Sequence, residues 1–178
     1  QLIRQKAEPQ FLKEREHLIY TDTLTGLYNR TYFNDMEAAL SLGGYPQTVI
    51  ITDLNMLKGT NDTYGHHVGD ALITAFAALL REGLPGSTLF RMGGDEFMAV
   101  IYHTDRQEVE GILDSLRREA DAANRDGNQL PLSYAYGWAI SADYEGCIMQ
   151  TLLDKADYCM YENKRAYYAT HDRRAPRS

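Results

Sequence analysis

Arg91-Met92-Gly93-Gly94-Asp95-Glu96-Phe97 lies between two apolar runs, Ser87 to Phe90 before it and Phe97 to Ile101 after it. Apolar run, short glycine-bearing turn, apolar run is the pattern of a tight β-hairpin whose turn carries chemistry. Gly93 and Gly94 have no Cβ and are free to take positive φ, so a ligand could come within van der Waals reach of their backbone. Asp95 and Glu96 put two acceptor-only groups beside that opening, and they repel one another unless a cation or a bound proton intervenes. A hairpin turn with solvated acids would look the same in isolation. The other segments decide between the two.

The chain has 178 residues, 44% of them hydrophobic, enough for one sizeable core and too few for two. Its formal charge of −7 argues against a surface that coats nucleic acid or an anionic membrane. An anionic ligand would need locally placed cations or a metal. Cys147 and Cys159 fit no zinc spacing and read as buried, reduced thiols of a cytoplasmic protein. No apolar run approaches the roughly 20 residues that span a bilayer. The expectation is a soluble, cytoplasmic chain, whether free-standing or the cytosolic part of a membrane-anchored sensor.

Residues 1–20 are charged and helix-favouring, with Pro9 suited to the first turn of a helix reaching about Tyr20. Phe11-Leu12 and Leu18-Ile19 have the spacing of a coiled-coil seam, in a run too short to establish a heptad. We read a connector helix entering from an upstream domain. A helix packed on its own domain would look nearly the same. Asp22 to Arg30 is turn-rich, with Asp22 and Arg30 as candidates for a buried pair, and leads into an amphipathic helix from about Thr31 to Leu42 (Phe33, Met36, Ala39, Leu40 inward) ended by Gly43-Gly44. Thr48 to Thr52 is a β-branched run that predicts a strand covered on both faces, with Asp53 where the chain leaves the sheet. The polar run Asn61 to Asp70 reads as a loop with a helix start, followed by a long helix burying Ala71, Leu72, Ala75, Phe76, Leu79 and Leu80. After the hairpin come a helix from Asp105 to about Asp126, a Gly127-Asn128 turn, a strand over Leu132 to Ser141, and a last helix from about Met149 to Tyr168 carrying Lys164. One domain over residues 21–170 is expected, then a tail at 171–178 with Arg173, Arg174 and Arg177.

Three motifs in this order resemble the diguanylate cyclase (GGDEF) family: Asp22-x-Leu-Thr-Gly-Leu-Tyr-Asn-Arg30; Asp53-x-Asn-x-x-Lys58-x-x-Asn61-Asp62-x-x-Gly65-His66-x-x-Gly69-Asp70; and Gly93-Gly94-Asp95-Glu96-Phe97. The resemblance covers Asp22 to about Tyr168. It implies an α+β fold related to the palm of nucleotidyl cyclases and polymerases, a mostly antiparallel sheet flanked by helices, with GTP as substrate and cyclic di-GMP as product. It further implies Mg²⁺ or Mn²⁺, two per site, held by Asp53, the main-chain carbonyl of Leu54, Asp95 and Glu96. Asp95, Glu96 and Lys58 would serve catalysis, and Asn61, Asp70, Gly93, Gly94 and Lys164 would contact substrate. Turnover would need a homodimer in which each 3′-hydroxyl attacks the partner's α-phosphate.

The residue chemistry points the same way. Hard divalent cations prefer oxygen ligands, and Asp53 with the Asp95-Glu96 pair offers three carboxylates from two segments, which suits a two-metal arrangement. How Asp95 and Glu96 divide metal binding and proton removal is not legible in a turn. A carboxylate at Asp70 can accept from guanine N1–H and the 2-amino group, which adenine does not offer. Three positions depart from the family pattern. Leu84 and Ser87 stand where many members carry the Arg-x-x-Asp product-inhibition site, Asn55 stands where a second acid is frequent, and Tyr168 stands where an arginine is common. The rival readings are an inactive GTP- or cyclic di-GMP-binding module, a related cyclic nucleotide synthase, and a purely structural dimerisation domain. The retained acids count against the first and the last.

Overall fold

The computed structural model describes residues 2–41, 46–102, 104–127 and 130–171, and for residues 2–9 the backbone alone. In chain order the elements are α1 (Leu2–Tyr20), β1 (Tyr28–Asn29), α2 (Arg30–Ser41), β2 (Gln47–Leu54), α3 (Leu57–Tyr64), α4 (His66–Gly83), β3 (Thr88–Arg91), β4 (Glu96–Tyr102), α5 (Arg106–Arg125), β5 (Tyr134–Ile140), a 3₁₀ turn at Ser141–Asp143, and α6 (Met149–Thr170). The strands form one sheet in the order β1-β3-β4-β2-β5. β1 runs parallel to β3 and every other pair is antiparallel. This is the mostly antiparallel α+β arrangement the sequence implies.

β2 is buried at all of its positions, which explains its unbroken β-branched run. Strand alternation then assigns the two faces. Val49 and Ile51 of β2, with Met98 and Val100 of β4, meet Phe33 of α2 and Met149, Leu152, Ala156 and Met160 of α6. Ile50, Leu54, Phe97, Ala99 and Ile101 meet Leu72, Phe76 and Leu80 of α4 and Val109, Leu113 and Leu116 of α5 on the other. α6 comes unusually close to β5. A Cβ built on Gly137 would lie 2.1 Å from the carbonyl oxygen of Ala156 and 2.2 Å from the amide of Met160. Only glycine permits that approach. α5 begins with a full capping box, Asp105 accepting from the Glu108 amide and Glu108 accepting from the Asp105 amide.

Several expectations need correction. Pro9 lies inside α1, not at its start; the helix gives up one hydrogen bond there and its strong helix formers carry it through. The polar stretch before Gly65 is not a loop: Leu57–Tyr64 is a helix whose inner side is Leu57, Gly59 and Thr60. β1, two residues long, has no legible strand signal. Ala39 and Ala71, placed inward by spacing, are exposed. The cysteines are free, but neither is in the core: Cys147 is half-buried and Cys159 is exposed on the outer side of α6. Gly43-Gly44, Asn128 and the arginines of the tail lie outside the described residues.

Candidate active site

Antiparallel register puts Asp53 of β2 directly opposite Glu96 of β4. Asp53 follows Ile51 by two residues and Glu96 precedes Met98 by two, both of which fill the α2 and α6 side of the sheet, so alternation carries both carboxylates to that side. Asp53 is buried, and Lys164 of α6 donates to its Oδ1 at 2.5 Å. Asp95, in the turn, is tied to the same strand end, its carbonyl accepting from the Leu54 amide at 2.9 Å. Burial, joined by the charges of Asp95 and Glu96, pushes the Asp53 carboxyl up to about 6 although Lys164 pulls the other way. Burial also raises Glu96, with Asp157 and Asp95 adding to it while Arg30 and Lys164 oppose. The Arg30 guanidinium stands 3.9 Å from Glu96. Beneath Glu96 a cavity of about 320 Å³ opens between α2 and α6, walled by Arg30, Glu37, Asp154 and Asp157 among others.

The turn itself is braced by two arginines. Arg91 donates to both carboxylate oxygens of Asp22, at 3.0 and 3.2 Å, and to the Gly94 carbonyl at 2.9 Å. Arg30 donates through Nε to the Met92 carbonyl at 2.9 Å. Asp22 is thus paired with Arg91 and not with Arg30 as expected. Burial disfavours the Asp22 charge, but hydrogen bonds from Thr25 and the Arg91 guanidinium outweigh it and hold the carboxyl below the usual range. Arg91 stood inside the signature stretch, yet only the fold brings it to a residue 69 positions away. Gly93 and Gly94 are exposed, and neither takes positive φ. What they provide is space. A Cβ on Gly94 would meet nothing within 4 Å and one on Gly93 only the Glu96 Cβ at 3.9 Å.

α3 and α4 bring a second group together. Lys58 is exposed in the first turn of α3. Asn61, on the same helix, packs on Gly69 of α4, where a Cβ would lie 1.7 Å from its Oδ1. That oxygen is buried without a hydrogen-bond partner. Asp70, next to Gly69, is exposed. The β2–α3 turn is fixed from α6: Met56, with φ at +65°, gives its amide proton to the Tyr168 hydroxyl at 2.9 Å. Lys164 and Tyr168, one helical turn apart, therefore hold the two ends of Asp53 to Met56.

The positions that depart from the family pattern have clear structural roles. Leu84 is buried in the core, and Ser87 donates its hydroxyl proton to the Leu84 carbonyl. Asn55 is buried and donates to Ser133 Oγ at 3.0 Å, so it braces the segment before β5 and is not directed to the acids.

As to a metal, among the described residues no three His, Cys, Asp or Glu side chains converge closely enough to hold one as they stand. The chemistry of the donors nevertheless suits a hard divalent cation. They are oxygen only, Asp53 is buried, and the three carboxylates of Asp53, Asp95 and Glu96 outnumber the two cations beside them, Lys164 and Arg30. Asp53, Glu96, Asp95 and the chain at Leu54 are the groups that could hold it.

The profile described as "Diguanylate cyclase, GGDEF domain" matches residues 19–168. The chain belongs to the GGDEF domain family. It is 31% identical over 150 residues to "Diguanylate cyclase VdcA" of Vibrio cholerae, an alignment covering 80% of this chain and 43% of VdcA. It is 30% identical over 156 residues to "Response regulator PleD" of Caulobacter vibrioides, covering 83% of this chain and 34% of PleD. This GGDEF domain thus spans less than half the length of those curated relatives. Among solved structures, the coiled coil and GGDEF domain of DgcB from Caulobacter crescentus, in complex with c-di-GMP, superposes with a TM-score of 0.76 at 25% identity, covering 93% of each chain. The α+β palm-like reading agrees with that neighbour.

Proposed function

We propose that this GGDEF domain is the catalytic part of a diguanylate cyclase, joining two GTP into cyclic di-GMP with release of two pyrophosphates. One observation carries the reading: Asp53 and Glu96, opposed on adjacent strands, with Asp95 bonded to the end of the same strand, concentrate three carboxylates at an open glycine turn. In this reading Asp53, Glu96, Asp95 and the Leu54 carbonyl hold two Mg²⁺ or Mn²⁺ ions. When bound, such ions would lower the pKa of a ribose 3′-hydroxyl and neutralise the triphosphate. Gly93 and Gly94 leave room for the nucleotide against their backbone. Asn61, its Oδ1 already desolvated and unpartnered, and Asp70 select guanine, while Lys58 and Lys164 meet phosphate.

Each domain would hold one GTP, so turnover needs a second copy. Residues 1–20 then serve as a connector from an upstream sensor. In support, the seam residues Phe11, Leu12 and Leu18 of α1 are 64%, 53% and 74% exposed and find no cover in their own domain. Linking two domains raises their effective concentration without new contacts in the site. No helix among the described residues is long and apolar enough to cross a membrane. We infer a cytoplasmic setting from the expected nucleotide substrate.

The test is direct: purified chain with GTP or with ATP, in Mg²⁺ or Mn²⁺, and products separated by chromatography. Cyclic di-GMP from GTP alone supports the proposal, and its absence at micromolar protein overturns it. Feedback through residues 84–87 should be weak, because Leu84 and Ser87 offer neither a guanidinium nor a carboxylate. Tight cyclic di-GMP binding that is lost on changing those residues would contradict this.

A further inference from the structure

Lys164 is placed too firmly to be an incidental surface lysine. The residue before it, Asn163, accepts the Tyr136 amide proton of β5 at 3.1 Å, and Tyr168 accepts that of Met56 one turn later. Gly137 lets the backbone of α6 rest on β5 one turn earlier. Between these three anchors the lysine stem is three-quarters covered, and its ammonium reaches Oδ1 of an Asp53 whose side chain is 9% exposed. An unpaired carboxylate is strongly disfavoured at such burial, and in the fold without metal α6 supplies the cation that faces it.

The ammonium is held at Oδ1, so a divalent ion on either oxygen of the Asp53 carboxylate would sit close beside it, and the two cations repel strongly at such short range and reduced dielectric. We propose that Lys164 is a resident cation at Asp53 which a divalent metal must displace, so that metal loading releases the ammonium toward the phosphates of the nucleotide. This rests on the metal-site reading given above and adds an order of events: metal first, then lysine to phosphate. A triphosphate arriving without metal would find this lysine already engaged.

The test uses the whole chain in alkaline buffer without nucleotide. Amine labelling followed by mass spectrometry reads the accessibility of Lys164 with and without Mg²⁺, the other lysines serving as internal references. Displacement predicts a rise of about tenfold in Lys164 labelling on adding Mg²⁺ and no rise in Asp53→Asn, where Mg²⁺ has lost its site. Mn²⁺ binding, measured by calorimetry, should tighten by about tenfold in Lys164→Met, which keeps the stem and removes the charge. Far-ultraviolet circular dichroism confirms that each variant is folded. Metal binding with Lys164 labelling unchanged overturns the displacement while leaving the metal site standing, since simple repulsion would tighten Mn²⁺ in Lys164→Met without moving the lysine. No metal binding by the wild-type chain overturns both the metal-site reading and this inference.

Discussion

At the scale of single residues, the site consists of charges placed where their cost is met by a specific partner. Asp22 is the clearest case, a half-buried carboxylate with two hydrogen bonds from Thr25 and two from Arg91. Because its folded pKa is lowered, it adds stability at any pH above its unfolded value of about 3.9, and that stability is lost as pH falls through the lower folded value. Asp22→Asn should therefore lower stability by about 1–3 kcal/mol near neutral pH. Urea unfolding should show the difference from wild type constant above about pH 5 and closing below about pH 4. Gly69 supports a sharper prediction, since a methyl group there overlaps Asn61 Oδ1. Gly69→Ala should move that amide and raise KM for GTP by about tenfold or more, with kcat changed less. Equal loss in both would mean that Asn61 acts beyond binding. At this scale Asp53 and the Asp95–Glu96 pair were legible as carboxylates at a strand end and a glycine turn, while Asn61 and Asp70 were named only through the resemblance of their motif to the GGDEF family. The sequence could not show the Asp22–Arg91 pair, because a contact across 69 positions leaves no local pattern.

At the scale of elements, α6 is the part that assembles the site. It lies on β5 through Gly137, pairs with Asp53 through Lys164, and fixes the β2–α3 turn through Tyr168. Gly137→Ala inserts a methyl group into the backbone of α6, and we expect about 2–4 kcal/mol of destabilisation, measured by denaturant unfolding. A variant of unchanged stability would refute the close seat. The long elements were legible. β2 announced itself through an unbroken β-branched run, and α5 and α6 through their apolar period. α3 was not, because eight residues with few apolar side chains give no periodicity and take their helicity from packing against α4. The two-residue β1 was illegible for a similar reason: its pairing with β3 is decided by the sheet edge it joins. The role of Tyr168 was hidden as well. Its partner is a main-chain amide held at positive φ, which no side-chain motif records.

At the scale of the whole molecule, the proposed reaction joins two nucleotides, while in this reading each domain holds one. The α1 seam, uncovered by its own domain, is where a second copy would be brought near, and a net charge of −7 works against chance association of isolated domains. Activity should accordingly be limited by encounter. The most direct measurement is the initial rate of cyclic di-GMP formation from GTP over a wide range of chain concentration, with Asp95→Ala alongside. The account predicts a rate rising more steeply than in proportion to wild-type concentration, and no product from Asp95→Ala. Strict proportionality down to nanomolar protein, or undiminished product from Asp95→Ala, would contradict it.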